Sequence, residues 1–275
     1  MTTSRALRRL LLVAALLVFL AGLQLFVFPR RTADWFAWTI EPPMTAVFLG
    51  AAYWSSAVLE VAGARAVSWR RARLAVGSVL VFTTLTLVVT LVHLDRFHLG
   101  EEHPTSARTV TWGWLAIYGL VPVLLAVVGW VELRRGRSVV EQMPRVALPT
   151  LLRALLLLLA LVLVGTGVVL LVAPDTSSTL WSWTLTPLTA RAVGAWLVGL
   201  GWAAGHGGLL DDAGSVRPVG MTGAAFVVLQ ALALARHGGD LTWGPAAVAY
   251  VAGLVAVGVA STWILTLRGS GRHTG

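Results

Sequence analysis

Histidines and carboxylates are the residues of this 275-residue chain best suited to chemistry: there are six of the former and twelve of the latter, and no cysteine. Without a thiol there is no disulfide, cysteine nucleophile, iron–sulfur cluster or thiolate zinc site, so redox chemistry would need a borrowed cofactor. His93 and His237 are the most suggestive pair, because each is followed within three residues by an aspartate, Asp95 or Asp240. A carboxylate behind an imidazole fixes its tautomer, which is how ligands of a divalent metal or a haem iron are oriented. His98 and His103 lie near enough to add ligands, although the stretch from Arg96 to His103 lacks the HExxH spacing of metalloproteases. The competing reading, which we prefer, makes His93 and His237 interfacial residues at helix ends, bonded to a carbonyl or headgroup, with no cofactor.

The other polar residues read as structural. Glu60 stands about a turn before Arg65 and is expected to pair with the arginines there. Gln24, Gln230, Thr83, Thr84, Thr86 and Thr90 suit hydrogen bonds between helices, and Gly165 with Gly167, Gly199 with Gly201, and Gly253 with Gly258 suggest close helix packing. A glycine-rich stretch at 205–209 contains His206, follows no strand and reads as a turn. No Ser/His/Asp triad, phosphate-binding glycine loop or pair of catalytic carboxylates is legible, and no apolar segment combines several acids with Gly/Pro breaks as proton-driven transporters do. The chain does not read as an enzyme.

Composition dictates what must position these groups. The chain is 57% hydrophobic and 12% charged, where soluble domains carry about 25% charged residues. Apolar runs near 10–28, 44–63, 74–94, 110–131, 150–173, 187–205, 218–236 and 243–266 approach the ~20 residues needed to cross about 30 Å of hydrocarbon. The expected fold is therefore all-α: a polytopic integral membrane protein of eight transmembrane helices in a lipid bilayer. All 21 basic residues are arginine, and the net charge is +9. Their placement between apolar runs marks topology, and no nucleic-acid partner is expected. An even number of spans puts both termini on one side, together with Arg5, Arg8, Arg9, Arg65, Arg70, Arg71, Arg73, Arg134, Arg135, Arg137, Arg145, Arg153, Arg217, Arg268 and Arg272. Positive charge resists translocation, so that side is expected to be cytoplasmic and the protein to be multi-pass in the cell membrane. The outer loops would be 29–43, 95–109, 174–186 and 237–242.

Two tandem four-helix repeats account for a phrase that occurs twice. Shifted by 145 residues, Arg8, Gly22, Pro29, Trp38 and Thr39 fall on Arg153, Gly167, Pro174, Trp183 and Thr184. Shifted by 144, Pro43, Thr45, Ala46, Gly50, Phe82 and His93 fall on Pro187, Thr189, Ala190, Gly194, Phe226 and His237. Beyond an insertion in the first copy, Thr111-Trp112-Gly113 matches Thr242-Trp243-Gly244. The expected organisation is a first repeat over 1–131, a cytoplasmic linker over 132–149 and a second repeat over 150–275. Four spans return the chain to the side it entered, so the copies share one orientation about a pseudo-twofold axis along the membrane normal. The first span resembles a signal peptide in its charge and length, but its counterpart is internal, which argues against cleavage.

The repeated phrase is also where a ligand would be sought. Thr186 suits an N-cap and Pro187 the first helical position, where its missing N–H costs nothing. Trp38 and Trp183 are expected to anchor short interfacial segments at headgroup level, with a ligand-facing aromatic lid as the alternative. Arg191, opposite Val47 in the first copy, is expected to snorkel to the interface or, alternatively, to bind an anion. The run from Trp181 to Arg191, WSWTLTPLTAR, with Gly194-Ala195-Trp196 behind it, resembles a phrase of uncharacterised multi-span membrane proteins of high-GC bacteria. The resemblance covers about sixteen residues and implies a membrane protein, with no catalytic residue to carry over. The candidate ligand-binding residues are Trp38, Pro43, Thr45, Trp183, Pro187, Thr189 and Arg191, and the expected function is binding or passage of a small amphiphilic or lipid-like molecule between the repeats. Alternatives are a haem- or metal-binding redox protein using His93 and His237, and a membrane scaffold that docks partner proteins.

Overall fold

The computed structural model describes residues 3–136 and 146–267. Arg137, Arg145, Arg268, Arg272 and much of the expected linker lie outside the described residues. Among the described residues all regular structure is helical: α1 (Arg5–Val27), α2 (Thr32–Trp35), α3 (Pro43–Arg65), α4 (Trp69–Val92), α5 (Thr105–Gly136), α6 (Thr150–Val172), α7 (Ser177–Leu180), α8 (Pro187–Leu210), α9 (Ala213–His237) and α10 (Pro245–Thr266). Eight are long and apolar enough to cross a membrane, and α2 and α7 are single turns. The chain is thus an all-helical, multi-pass membrane protein.

Helix starts follow the local chemistry. Ser4 caps α1, its hydroxyl accepting from the Leu7 amide, and Thr186 forms a capping box with Thr189 ahead of Pro187 at the start of α8. Pro43 and Pro245 open α3 and α10 in the same way. No residue beside α3 caps it; the Asp240 carboxylate accepts from the Met44 amide at 3.0 Å, a contact spanning 196 residues of sequence. An anionic acceptor suits that end, where the helix dipole is positive. At the other end of the bundle Asp211, at φ 48°, closes α8, accepts from the Leu148 amide at 2.9 Å and pairs with Arg153 at 3.3 Å.

Packing makes α3 and α8 the centre, with 72% and 61% of their apolar stretches buried, against 17% for α10 and 22% for α6. α1 lies along α3 and α6 along α8, while α3 packs on α9 and α8 on α4; α5 and α10 flank α4 and α9. Lipid is as apolar as leucine, so helices associate through close packing rather than burial. A Cβ on Gly167 would stand 2.7 Å from the Gly194 carbonyl oxygen, and one on Gly50 would stand 2.6 Å from the Phe26 amide nitrogen. Gly201 is constrained in the same way by Val164 at 2.7 Å and Gly199 less tightly by Phe82 at 3.1 Å, but Gly165 and Gly253 meet nothing within 4 Å, so packing does not explain those two.

Two expected boundaries are corrected. Arg70, Arg71 and Arg73 belong to the first turns of α4, not to a loop, because the backbone stays hydrogen-bonded through the interface after the apolar run ends. The stretch 205–209 is helical and forms the last turns of α8: Gly207 and Gly208 sit against Val216 and Leu157, and that packing overrides their weak helix propensity.

Candidate functional site

One end of the bundle is rich in arginine, and the other gathers the tryptophan loops between α1 and α3 and between α6 and α8. In those loops Trp38, Trp181 and Trp183 are turned inward and are no more than 9% exposed. Trp38 packs on Phe36, Phe97 and Trp114 with ring centres 4.9, 5.2 and 5.0 Å away. Trp183 lies against Phe48, Trp181 and Tyr250 and donates its indole N–H to Thr45 Oγ1 at 2.9 Å. Anchoring at headgroup level therefore does not describe Trp38 or Trp183. Trp35, Trp112 and Trp243, 39%, 63% and 74% exposed, are the indoles placed to do it.

The remaining candidate residues divide between structure and surface. Thr45 and Thr189 are fully buried, one held by Trp183 and the other spent in the capping box. Arg191 neither snorkels freely nor stands open to an anion. Its Nε donates to the Leu171 carbonyl at 2.9 Å and its Nη1 to His93 Nε2 at 2.8 Å. A guanidinium has no lone pair to accept with, so His93 must be the acceptor, neutral and protonated on Nδ1. Burial, then the Arg191 charge, holds the His93 pKa below its ordinary value. A metal at this nitrogen would first have to displace Arg191. The first half has a similar staple from a different helix: Arg236, next to His237, donates to the Phe26 carbonyl at 2.8 Å. Phe26 and Leu171 match at a shift of 145 residues, and both carbonyls belong to last helical turns that lack an intrahelical partner.

His98 locks the first tryptophan loop. Its Nδ1–H donates to the Phe36 carbonyl at 2.8 Å, which leaves Nε2 to accept from the Thr39 hydroxyl at 3.0 Å. Burial lowers its pKa, as does nearby His103, while the Phe36 bond opposes them. Among the described residues no group of three His, Asp or Glu side chains is arranged to hold a metal.

Two cavities near these loops could take a ligand. The first is an open cleft at the tryptophan-rich end, lined by Arg30, Ala33, Thr39, Glu41, Pro42 and Pro43 from the first loop and by Thr184 and Thr186 from the second. It brings Pro43 and the threonines next to Trp38 and Trp183 together, with a cation and an anion on its wall. Trp38, Thr45, Trp183, Pro187, Thr189 and Arg191 are not on that wall. The second is an apolar slot of about 200 Å³ among α6, α8, α9 and α10, with Leu180 and Trp181 on its wall. Sequence reasoning missed it; the signal was the run of small residues along α10.

Glu60 departs from expectation. It is 2% exposed, with Ser56 Oγ 3.5 Å from one oxygen and no hydrogen-bond partner for Oε2, and the ion pairs among the described residues do not include it. Gln230 does bridge helices as expected, donating to the Phe48 carbonyl at 3.2 Å and accepting from Tyr250 at 2.9 Å. Thr83 and Thr90 donate instead to carbonyls of their own helix, and Thr90 then accepts from the Trp114 indole at 3.0 Å. Comparison with family models, with curated proteins and with solved structures finds no match.

Proposed function

We propose that this is a non-enzymatic membrane protein made of two copies of a four-helix unit, which binds or passes a small lipid-like amphiphile between them. Duplication is supported by the ordered Trp, Pro, Gly and His matches and by one order of elements occurring twice: long helix, 3-10 turn, single-turn helix, two long helices, 3-10 turn, long helix. Corresponding helices also choose corresponding neighbours, α1 on α3 as α6 on α8, and α3 on α9 as α8 on α4. The excess of arginine at one end supports a cytoplasmic location for that end and for both termini in a cell membrane.

The observation that carries the ligand reading is the cleft. Both copies of the phrase contribute to its wall, and Arg30 and Glu41 offer charge complementarity to a headgroup beside the rings of Pro42 and Pro43. Ala33 is exposed on that wall, so a larger side chain there obstructs the cleft without disturbing a buried contact. Native mass spectrometry of the detergent-purified protein is expected to show a retained amphiphile mass that is lost in Ala33→Trp. A bare chain, or an amphiphile indifferent to Ala33→Trp, overturns the cleft as its site. A haem or metal mass that disappears in the His93→Ala, His237→Ala double variant would instead establish the redox reading.

A further inference from the structure

We propose that the slot in the second half is a binding site for one hydrocarbon chain, acyl or isoprenoid, that enters sideways from the bilayer. This rests on the lipid-like class of ligand argued above and adds a second, chain-specific site to it.

The shape fits a chain. Along α10 the lining runs from Ala246 to Ile264, a rise of about 27 Å at 1.5 Å per residue, close to the roughly 30 Å of bilayer hydrocarbon. No charged side chain lines the slot. Val162 on α6, Leu180 and Ala249 on α10 are exposed parts of its wall, so its side faces the acyl chains of surrounding lipid. An empty apolar space deprives its lining of dispersion contacts, and the bilayer supplies a filler of matching chemistry at once.

Two residues of its wall also carry buried side-chain polar atoms without a hydrogen-bond partner, Trp181 Nε1 and Thr222 Oγ1. An amphiphile with an ester, acid or hydroxyl oxygen at the Trp181 end would satisfy the indole N–H while its tail filled the space below. That orients the ligand with its polar end toward the tryptophan loops.

Comparison of the halves shows what leaves room for the slot in the second. In the register of the repeated phrase, Tyr118 corresponds to Ala249, Pro122 to Gly253 and Val79 to Gly223. In the first half Tyr118 is buried, its hydroxyl 2.8 Å from that of Tyr53. The equivalent volume in the second half is left to the slot by alanine and glycine. A Cβ added to Gly253 meets nothing within 4 Å, so the space beside it is real room and not a packing contact.

The test uses the full chain in phosphatidylcholine vesicles with a diazirine-bearing long-chain fatty acid, photolysed and mapped by peptide mass spectrometry. Labelling is expected on α10 and around Trp181 in excess of α5. Gly253→Leu and, independently, Ala249→Tyr, which restores the residue of the first half, are expected to lower that labelling by about tenfold. Ala33→Trp leaves it unchanged. Equal labelling of α5 and α10, or labelling that survives both slot-filling variants, overturns the proposal. Loss of slot labelling with retention of the cleft amphiphile, or the reverse, separates the failure of this site from failure of the cleft.

Discussion

At the scale of single residues the tryptophan-rich end is held by two arginines that the sequence does not pair. A shift of 144 residues puts Val47 opposite Arg191, which makes the arginine look unmatched. Its counterpart comes from another helix, since Arg236 reaches the Phe26 carbonyl as Arg191 reaches that of Leu171. A hydrogen bond from a charged donor contributes about 1.5–3 kcal/mol, so Arg191→Ala and Arg236→Ala are each expected to lower unfolding stability by about that amount in detergent denaturation. The Arg191 bond also links stability to pH. Because the folded-state pKa of His93 lies below the ordinary 6.5, the unfolded chain binds the proton more readily. Stability from this contact is complete above the ordinary value and is lost as the pH falls from there through the lower folded-state value. His98 shifts in the same direction. Thermal midpoints are therefore expected to drop between about pH 7.5 and about pH 5.5, and to drop less in His93→Gln. An unchanged pH slope in that variant would show that Arg191 does not depend on a neutral imidazole.

At the scale of helices, what holds the bundle together is close approach at glycine, and neighbouring positions make opposite predictions. Gly167 and Gly194 face each other with carbonyl oxygens where side chains would be, whereas Gly165, two residues from Gly167 on α6, points into open space. Gly194→Val is expected to destabilise by about 1–3 kcal/mol, the range for overpacked cores. Gly165→Ala is expected to be neutral or to stabilise by up to about 1 kcal/mol through helix propensity alone. Both can be measured by thermal denaturation of the detergent-solubilised protein. The same contrast shows what was legible beforehand. The eight spans follow from hydropathy, which depends only on composition along the chain. Which glycine touches a neighbour depends on helix rotation, to which these nearly uniformly apolar helices give no clue. Helix ends were misplaced for a related reason: α4 begins at Trp69, ahead of three arginines, since apolar content stops at the membrane boundary and backbone hydrogen bonding does not. Of the candidate site, the facing loops were readable from the repeated phrase, but the inward turn of Trp38 and Trp183 was not, because tryptophan suits an interface and a packed aromatic core equally well.

At the scale of the whole molecule the arrangement is polarised. Arg5, Arg8, Arg9, Arg70, Arg71, Arg73, Arg134, Arg135, Arg153 and Arg217 lie at or near helix ends on one side, and the cleft, the inward tryptophans and the Trp181 end of the slot lie on the other. If arginine sets the insertion direction, a ligand's polar end meets the protein on the face turned away from the cytoplasm, and its chain extends toward the arginine side. The chain has no cysteine, so single cysteines report sidedness without background. Ala33, exposed at the cleft, and Val67, 52% exposed in the short connection between α3 and α4, mark the two faces. In intact spheroplasts a membrane-impermeant maleimide is expected to modify Ala33→Cys and to reach Val67→Cys only after lysis. The opposite pattern would invert the molecule, placing the cleft and the headgroup end of the slot in contact with the cytoplasm and making a cytoplasmic amphiphile the molecule to test. Labelling of both positions in intact spheroplasts would mean a mixed population and would overturn arginine as the guide to insertion direction.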